Sequence, residues 1–229
     1  MFRKILKKIA VSLLLISTGA ISGVEIGGTR VIYNGADHQA AISVSNPDNT
    51  PYLIQSWVSE NENSDDGDSL FVTTPPLFKL NPHTQNSVRV MLAGNAVPQD
   101  RESVHWLNIK SIPSSSAEAK NELLIAVKSK MKLFYRPVGL KGDPSLAYQQ
   151  LTFSSADGKL IVHNPTPYSV SLYDVKVNGK ELKKPPMVLP FQTLPLPLPL
   201  PQAAVASGEV SWRAINDFGG ITAQHNFKI

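Results

Sequence analysis

The sequence predicts an all-β protein of sandwich type, and three observations carry that prediction. Turn signals recur along its length, at Asn34-Gly35, NPDN (46–49), DDGD (65–68), NPHT (81–84), Asp157-Gly158, NPTP (164–167) and Asn178-Gly179. Between them lie short runs rich in β-branched and aromatic residues: TRVIY, AAISVS, YLIQSWV, SVRVML, HWLNIKSI, LIVHN and SLYDVKV. Helical character is confined to one patch, SSSAEAKNELL at 114–124, where a serine run precedes only about two turns of helix formers. That patch reads as a loop with one turn of helix. Many short strands separated by turns pack as sandwiches.

The chain opens with Arg3, Lys4, Lys7 and Lys8, then an apolar run from Ile9 to Ile16, then Ala20 and Ser22 at the −3 and −1 positions of a cut before Gly23. This is the pattern of a secretory signal peptide over residues 1–22. The apolar run is shorter than the ~20 residues of a spanning helix, and no later segment suits one, so no stable membrane insertion is expected. The formal charge of +4 suggests a nucleic-acid partner only at first sight. The four cations of the leader account for all of it, leaving 18 basic against 18 acidic residues. A balanced exported chain gives no basis for nucleic-acid binding. It also has no cysteine, so its cores hold without disulfides.

Proline and glycine cluster in PVGLKGDPS, residues 137–145, and mark a domain boundary. One domain is expected over 23–140 and a second over 141–229. LPLPLPLPQ at 194–202 loses every second backbone donor to proline, which confines it to a sheet edge or a polyproline ribbon. The edge strand, presenting leucines to one face, is the preferred reading.

The segment NELLIAVKSKMKLFYRP, Asn121 to Pro137, has the most pronounced pattern. Leu123, Ile125, Val127, Met131 and Leu133 share one parity and Lys128, Lys130, Lys132 and Arg136 the other. A period of two predicts a strand. From Leu123 to Arg136 it would reach about 45 Å, well past the usual 17–20 Å. The alternation alone does not say whether the apolar side faces this protein's own core or a partner.

No enzymatic constellation is present. There is no phosphate-binding glycine loop, no Gly-x-Ser-x-Gly elbow, no paired-histidine zinc helix and no thiol. His38, His83, His105, His163 and His225 are scattered. The acidic loop NENSDDGDS has its glycine one place late for a calcium loop and no glutamate at the twelfth position, so a solvated loop is expected. The chain reads as a non-enzymatic binding protein without metal or cofactor.

Seven phrases, in order across the chain, resemble one family: TRVIYNG (29–35), TPPLFKL (74–80), PQDRES (98–103), WLNIKSIP (106–113), KLFYRP (132–137), NPTPY (164–168) and INDFGG (215–220). The resemblance is to the periplasmic pilus (fimbrial) chaperones of the chaperone-usher pathway, the PapD-like family. It implies two immunoglobulin-like β-sandwich domains arranged as a boomerang with an interdomain cleft. It implies pilus subunits and an outer-membrane usher as partners. Subunits would be bound by donor-strand complementation, in which Leu123, Ile125 and Val127 of the long strand complete a subunit fold that lacks one strand. Arg30 and Lys132 match the cleft pair that anchors the subunit's C-terminal carboxylate, and Glu102, Arg136 and Asp217 match an interdomain charge cluster of structural role. The short loop PSSSAEAK before the donor strand, with no cysteine, resembles the short-loop branch serving rod-like pili. In the free protein such an apolar edge either stays exposed or is covered by self-association. A secreted two-domain immunoglobulin-like adhesin or structural pilus component would share the leader and the fold, but gives no reason to pair Arg30 with Lys132.

Overall fold

The computed structural model describes residues 23–94, 96–115, 123–156, 159–196 and 208–229. The leader, the centre of the 114–124 patch and the end of the Leu-Pro run lie outside the described residues.

Nine strands build the first sandwich: β1 (Glu25–Ile26), β2 (Arg30–Asn34), β3 (Ala40–Asn46), β4 (Tyr52–Ser59), β5 (Phe71–Thr74), β6 (Leu77–Leu80), β7 (Thr84–Leu92), β8 (Ser103–Pro113) and β9 (Val127–Arg136). One sheet has the order β1-β3-β7-β5 and the other β2-β9-β8-β4-β6. The chain changes sheet between β1 and β2, and Gly27 is where it can do so. Its N–H donates to the Ser43 carbonyl at 2.9 Å, and a Cβ there would stand 2.0 Å from Ser43 Oγ. It changes sheet again between β5 and β6, at the cis Thr74–Pro75 bond. Alternate residues of both sheets close the core: Ile42, Val44, Ile54, Val58, Val88, Val90, Leu107, Ile109 and Leu133 are all buried.

Pro137 to Gly142 lead into a 3₁₀ helix, Pro144–Gln150, capped by Asp143, whose side chain accepts from the Ser145 N–H. Eight further strands form the second sandwich: β10 (Thr152–Ala156), β11 (Lys159–His163), β12 (Val170–Val177), β13 (Lys180–Glu181), β14 (Met187–Val188), β15 (Thr193–Leu196), β16 (Glu209–Ala214) and β17 (His225–Lys228). Its sheets run β10-β11-β15 and β13-β12-β16-β17, with β14 also on β12. Trp212 is the centre of this core, tilted on Phe153 at 4.7 Å, with its indole N–H donating to the Tyr148 carbonyl at 2.8 Å. The two cores are separate clusters of buried residues.

The start of the Leu-Pro run is an edge strand. Among the described residues β15 pairs only with β11, Pro195 is exposed, and Leu196 is buried in the second core. A missing donor costs nothing on an unpaired edge. The acidic loop is solvated at most of its positions, as expected, and it also folds back on the lysine side of β9. Lys128 Nζ reaches Asp65 at 2.6 Å, Lys130 binds the Glu62 and Ser64 carbonyls, and Asp68 is buried 2.5 Å from His105 Nδ1. The cations on that face of β9 draw the loop's carboxylates and carbonyls inward.

Candidate functional site

β9 is the strand on which the site is built. On one side β8 pairs with it from Val127 to Tyr135. On the other, β2 runs parallel to it and pairs only from Lys132 to Arg136. From Val127 to Met131 this second edge therefore has no strand partner among the described residues, and its backbone donors and acceptors are free for one. The side chains change role at the same place. Met131 and Leu133 are 6% and 0% exposed in the first core, whereas Val127, Ile125 and Leu123, on the same parity, are 54%, 66% and 83% exposed. One apolar face leaves its own core and continues into solvent.

The expected strand from Leu123 needs correction. Regular structure begins at Val127, and Leu123–Ala126 belong to no strand. The last β8 partner is Ser111, opposite Val127, and Pro113 has no N–H to extend the ladder. With the other edge open as well, nothing fixes residues 123–126 as strand.

Arg30 and Lys132 are register partners at the point where β2 stops covering β9. They are half-buried, and neither forms an ion pair among the described residues. Arg30 donates one bond, from Nη1 to the Ile215 carbonyl of the second domain at 3.1 Å, and its Nε is buried without a partner. The guanidinium lies over Phe134, 5.6 Å from the ring centre, and the Lys132 ammonium over Trp106 at 5.8 Å. Burial lowers the pKa of both groups, and for Lys132 the nearby Arg30 charge adds to the effect. Asp217 acts on Arg30 and Glu62 on Lys132 only through space, so the two adjacent cations have no bonded carboxylate among the described residues.

Arg136, at the far end of the β2–β9 pairing, has the opposite surroundings. Its Nε bonds Glu102 at 2.6 Å, and Nη1 and Nη2 hold the two oxygens of Asp217 at 2.8 and 3.1 Å. Glu102 is buried in the first domain and also accepts from the Ser169 N–H of the second at 2.8 Å. Burial opposes the Arg136 charge, but the bonds to Asp217 and the Glu102 charge outweigh it and raise its pKa. Burial also raises the pKa of Glu102, with Arg136 and the Ser169 N–H restraining the rise. The structure thus brings Glu102, Arg136 and Asp217 together across the domain boundary.

Several contributors have no sequence signal. The Ile215 carbonyl, the Ser169 N–H and the Pro167 carbonyl, which accepts from Glu102 N at 2.9 Å, are backbone groups that any residue type supplies. Trp106, Phe134 and Tyr168, the last under Arg136 at 5.5 Å, lie within the matching phrases and act as aromatic walls for the cations.

Two sandwiches bridged by a charge cluster, with an open strand edge ending at a pair of cations, define a two-domain immunoglobulin-like protein. Comparison with known proteins identifies its family. Residues 23–141 match the pili and flagellar-assembly chaperone PapD N-terminal domain, and residues 146–226 the pili assembly chaperone PapD C-terminal domain. The chain is 41% identical over 214 residues to the probable fimbrial chaperone LpfB of Escherichia coli O157:H7, covering 92% of this chain and 90% of that protein. It is 37% identical over 216 residues to the chaperone protein FimC of Escherichia coli K12, covering 91% and 86%. Among solved structures it is similar to a chain in the Salmonella enterica SafA pilin–SafB chaperone complex, with TM-score 0.80, 34% identity, and 93% and 99% of the two chains covered. It is also similar to the Escherichia coli chaperone DraB, with TM-score 0.79, 34% identity, and 90% and 98% covered. The protein belongs to the PapD-like family of fimbrial chaperones.

Proposed function

We propose that this chaperone binds pilus subunits in the periplasm by lending them the open edge of β9, and passes them to an outer-membrane usher. The observation that carries the reading is the coincidence, at one register position, of the end of the β2–β9 ladder with the unneutralised Arg30–Lys132 pair. A strand whose terminal carboxylate is held there can pair with Met131 back to Val127 only by running parallel to β9, in line with β2. Its end point then fixes its register, since a slip of one residue would turn every side chain to the wrong face. Leu123, Ile125 and Val127 supply the apolar residues that fill the subunit's groove, and residues 123–126 become strand when the partner provides the missing ladder. Glu102, Arg136 and Asp217 hold the two domains at the angle that keeps the cations accessible. No step needs a nucleotide or catalysis, because pairing and burial supply the free energy. An adhesin or structural pilus component is not favoured, for it has no use for an open edge ending at two cations.

Ile125→Glu tests this directly. Ile125 is exposed in the free protein, so its stability should change by no more than the ~0.5 kcal/mol usual for surface substitutions, while subunit capture in a pull-down is lost. A collapsed fold, or undiminished capture, would refute the strand-lending role.

A further inference from the structure

The residue that leads into β1 has one side-chain hydrogen bond among the described residues. The Gly23 N–H donates to Asp48 Oδ2 at 2.9 Å, and the same oxygen accepts the Tyr52 hydroxyl at 2.6 Å. Asp48 is itself fixed, because its N–H donates to Asn46 Oδ1 at 3.0 Å. Asn46 is buried, and its amide binds the Thr50, Leu80 and Asn81 carbonyls. The carboxylate is thus preset for this approach.

We propose that Asp48 is the receiving site for the α-ammonium created when the chain is cut before Gly23, and that this ion pair fixes the N-terminal strand as one wall of the groove beside the donor segment. The proposal rests on residues 1–22 being removed as a signal peptide, and its functional consequence rests on the strand-lending role. In the uncut chain Gly23 offers one neutral N–H. After the cut the same nitrogen carries a charge and three donors, so a hydrogen bond to the Asp48 carboxylate becomes an ion pair as well. β1 gains most from such a clamp. It is two residues long, lies at the sheet edge, and pairs only through Glu25↔Ser45 and Ile26↔Val44. Val24 and Ile26 pack on the first core, and with Tyr52, Ile109, Ile125 and Val127 they line one open groove. Cleavage by the export machinery therefore completes the wall against which the donor residues stand.

The charged neighbourhood is simple. Asp48 and the Tyr52 hydroxyl face the amine, Glu25 is exposed on its own strand, and His83 bonds Asn49 beside Asp48. The β8 and β9 sides of the groove contribute Ile109, Ser111, Ile125, Val127 and Ser129, none of them charged.

The test uses the protein starting at Gly23, the same protein α-N-acetylated, and an Asp48→Asn variant, all otherwise full length. The α-amino group, followed by NMR with labelled glycine, should titrate above its usual ~7.7–8.0. An amine with a raised folded-state pKa contributes stability in full below its unfolded value and loses it as pH rises through the folded value. The melting temperature of the Gly23-start protein should exceed that of the acetylated form at pH 7, and the excess should vanish in alkali. Asp48→Asn should abolish both effects. An ordinary α-amino pKa, or a melting difference independent of pH, would overturn the pair. Subunit capture by the unmodified chain is scored alongside, so a failed pair with intact capture refutes this inference alone. The mass of the exported chain reports the cut, and a start other than Gly23 overturns the proposal at its premise.

Discussion

Arg30 and Arg136 face the same cleft from opposite ends of one parallel strand pairing, yet their charges are treated in opposite ways. Arg136 has three charged hydrogen bonds to two carboxylates. Arg30 has one bond to a carbonyl, a buried Nε without a partner, and a second cation beside it. Half-burying unneutralised charge lowers stability, and the lowered pKa values of Arg30 and Lys132 express that cost. On the proposed function, a fold that neutralises one arginine fully and leaves its neighbour open separates, within a single cleft, charge that assembles the molecule from charge that waits for a ligand.

The largest effect expected from breaking this contrast is on the satisfied side. Arg136→Ala would leave Glu102 buried without its cation, and loss of one partner of a buried pair costs about 3–5 kcal/mol. Chemical denaturation should register that loss, and an unchanged midpoint would mean that the cluster has no structural role. On the open side, Lys132→Met should weaken subunit binding by about 2–5 kcal/mol, roughly thirty-fold to several thousand-fold, without lowering the free protein's melting temperature. A destabilised free protein would show that Lys132 is structural after all. Asp217→Ala falls between the sites. Its side chain is partly exposed, so it should cost about 1–2 kcal/mol and widen the distribution of interdomain angles in small-angle scattering before capture suffers. Lost binding with unchanged melting and scattering would move Asp217 into the binding site. The smallest effect is in alkali. Because burial, then Arg30, lowers the folded-state pKa of Lys132, the unfolded chain binds more protons between that value and the usual lysine range, and wild-type stability gains on Lys132→Met as pH rises through this window. A gap independent of pH would deny Lys132 its uncompensated charge.

The same contrast shows what the sequence could disclose. Turn signals and β-rich runs are enough for two sandwiches, and seven of the strands fall on the runs read from composition. β5, β6, β16 and β17 were not among them, since FVTT, LFKL, EVSWRA and HNFK are short and owe their strand state to neighbours supplied by distant chain. In the donor segment the period of two runs from Leu123 to Leu133 with Ser129 its only polar member, and the fold divides it at that residue, core-facing after and solvent-facing before. Periodicity reports that a face is apolar and cannot report what covers it. Leu123–Ala126 failed as strand for a related reason, because a ladder needs a partner and this chain does not provide one. Arg30 and Lys132 lie a hundred residues apart in sequence, so only the resemblance brought them together, while the Ser169 N–H and the Ile215 carbonyl, being backbone, left no trace at all.

The central claim is that a terminal carboxylate ends its strand at Arg30 and Lys132. The most direct measurement compares the subunit that co-purifies with this chaperone in two forms, one with a free C-terminal carboxylate and one amidated, in equilibrium binding to the wild-type protein. Loss of the charge should reduce affinity at least about thirty-fold, and in Lys132→Met, which keeps Arg30, the difference between the two forms should shrink without vanishing. Equal affinity of wild type for the acid and the amide would contradict the account.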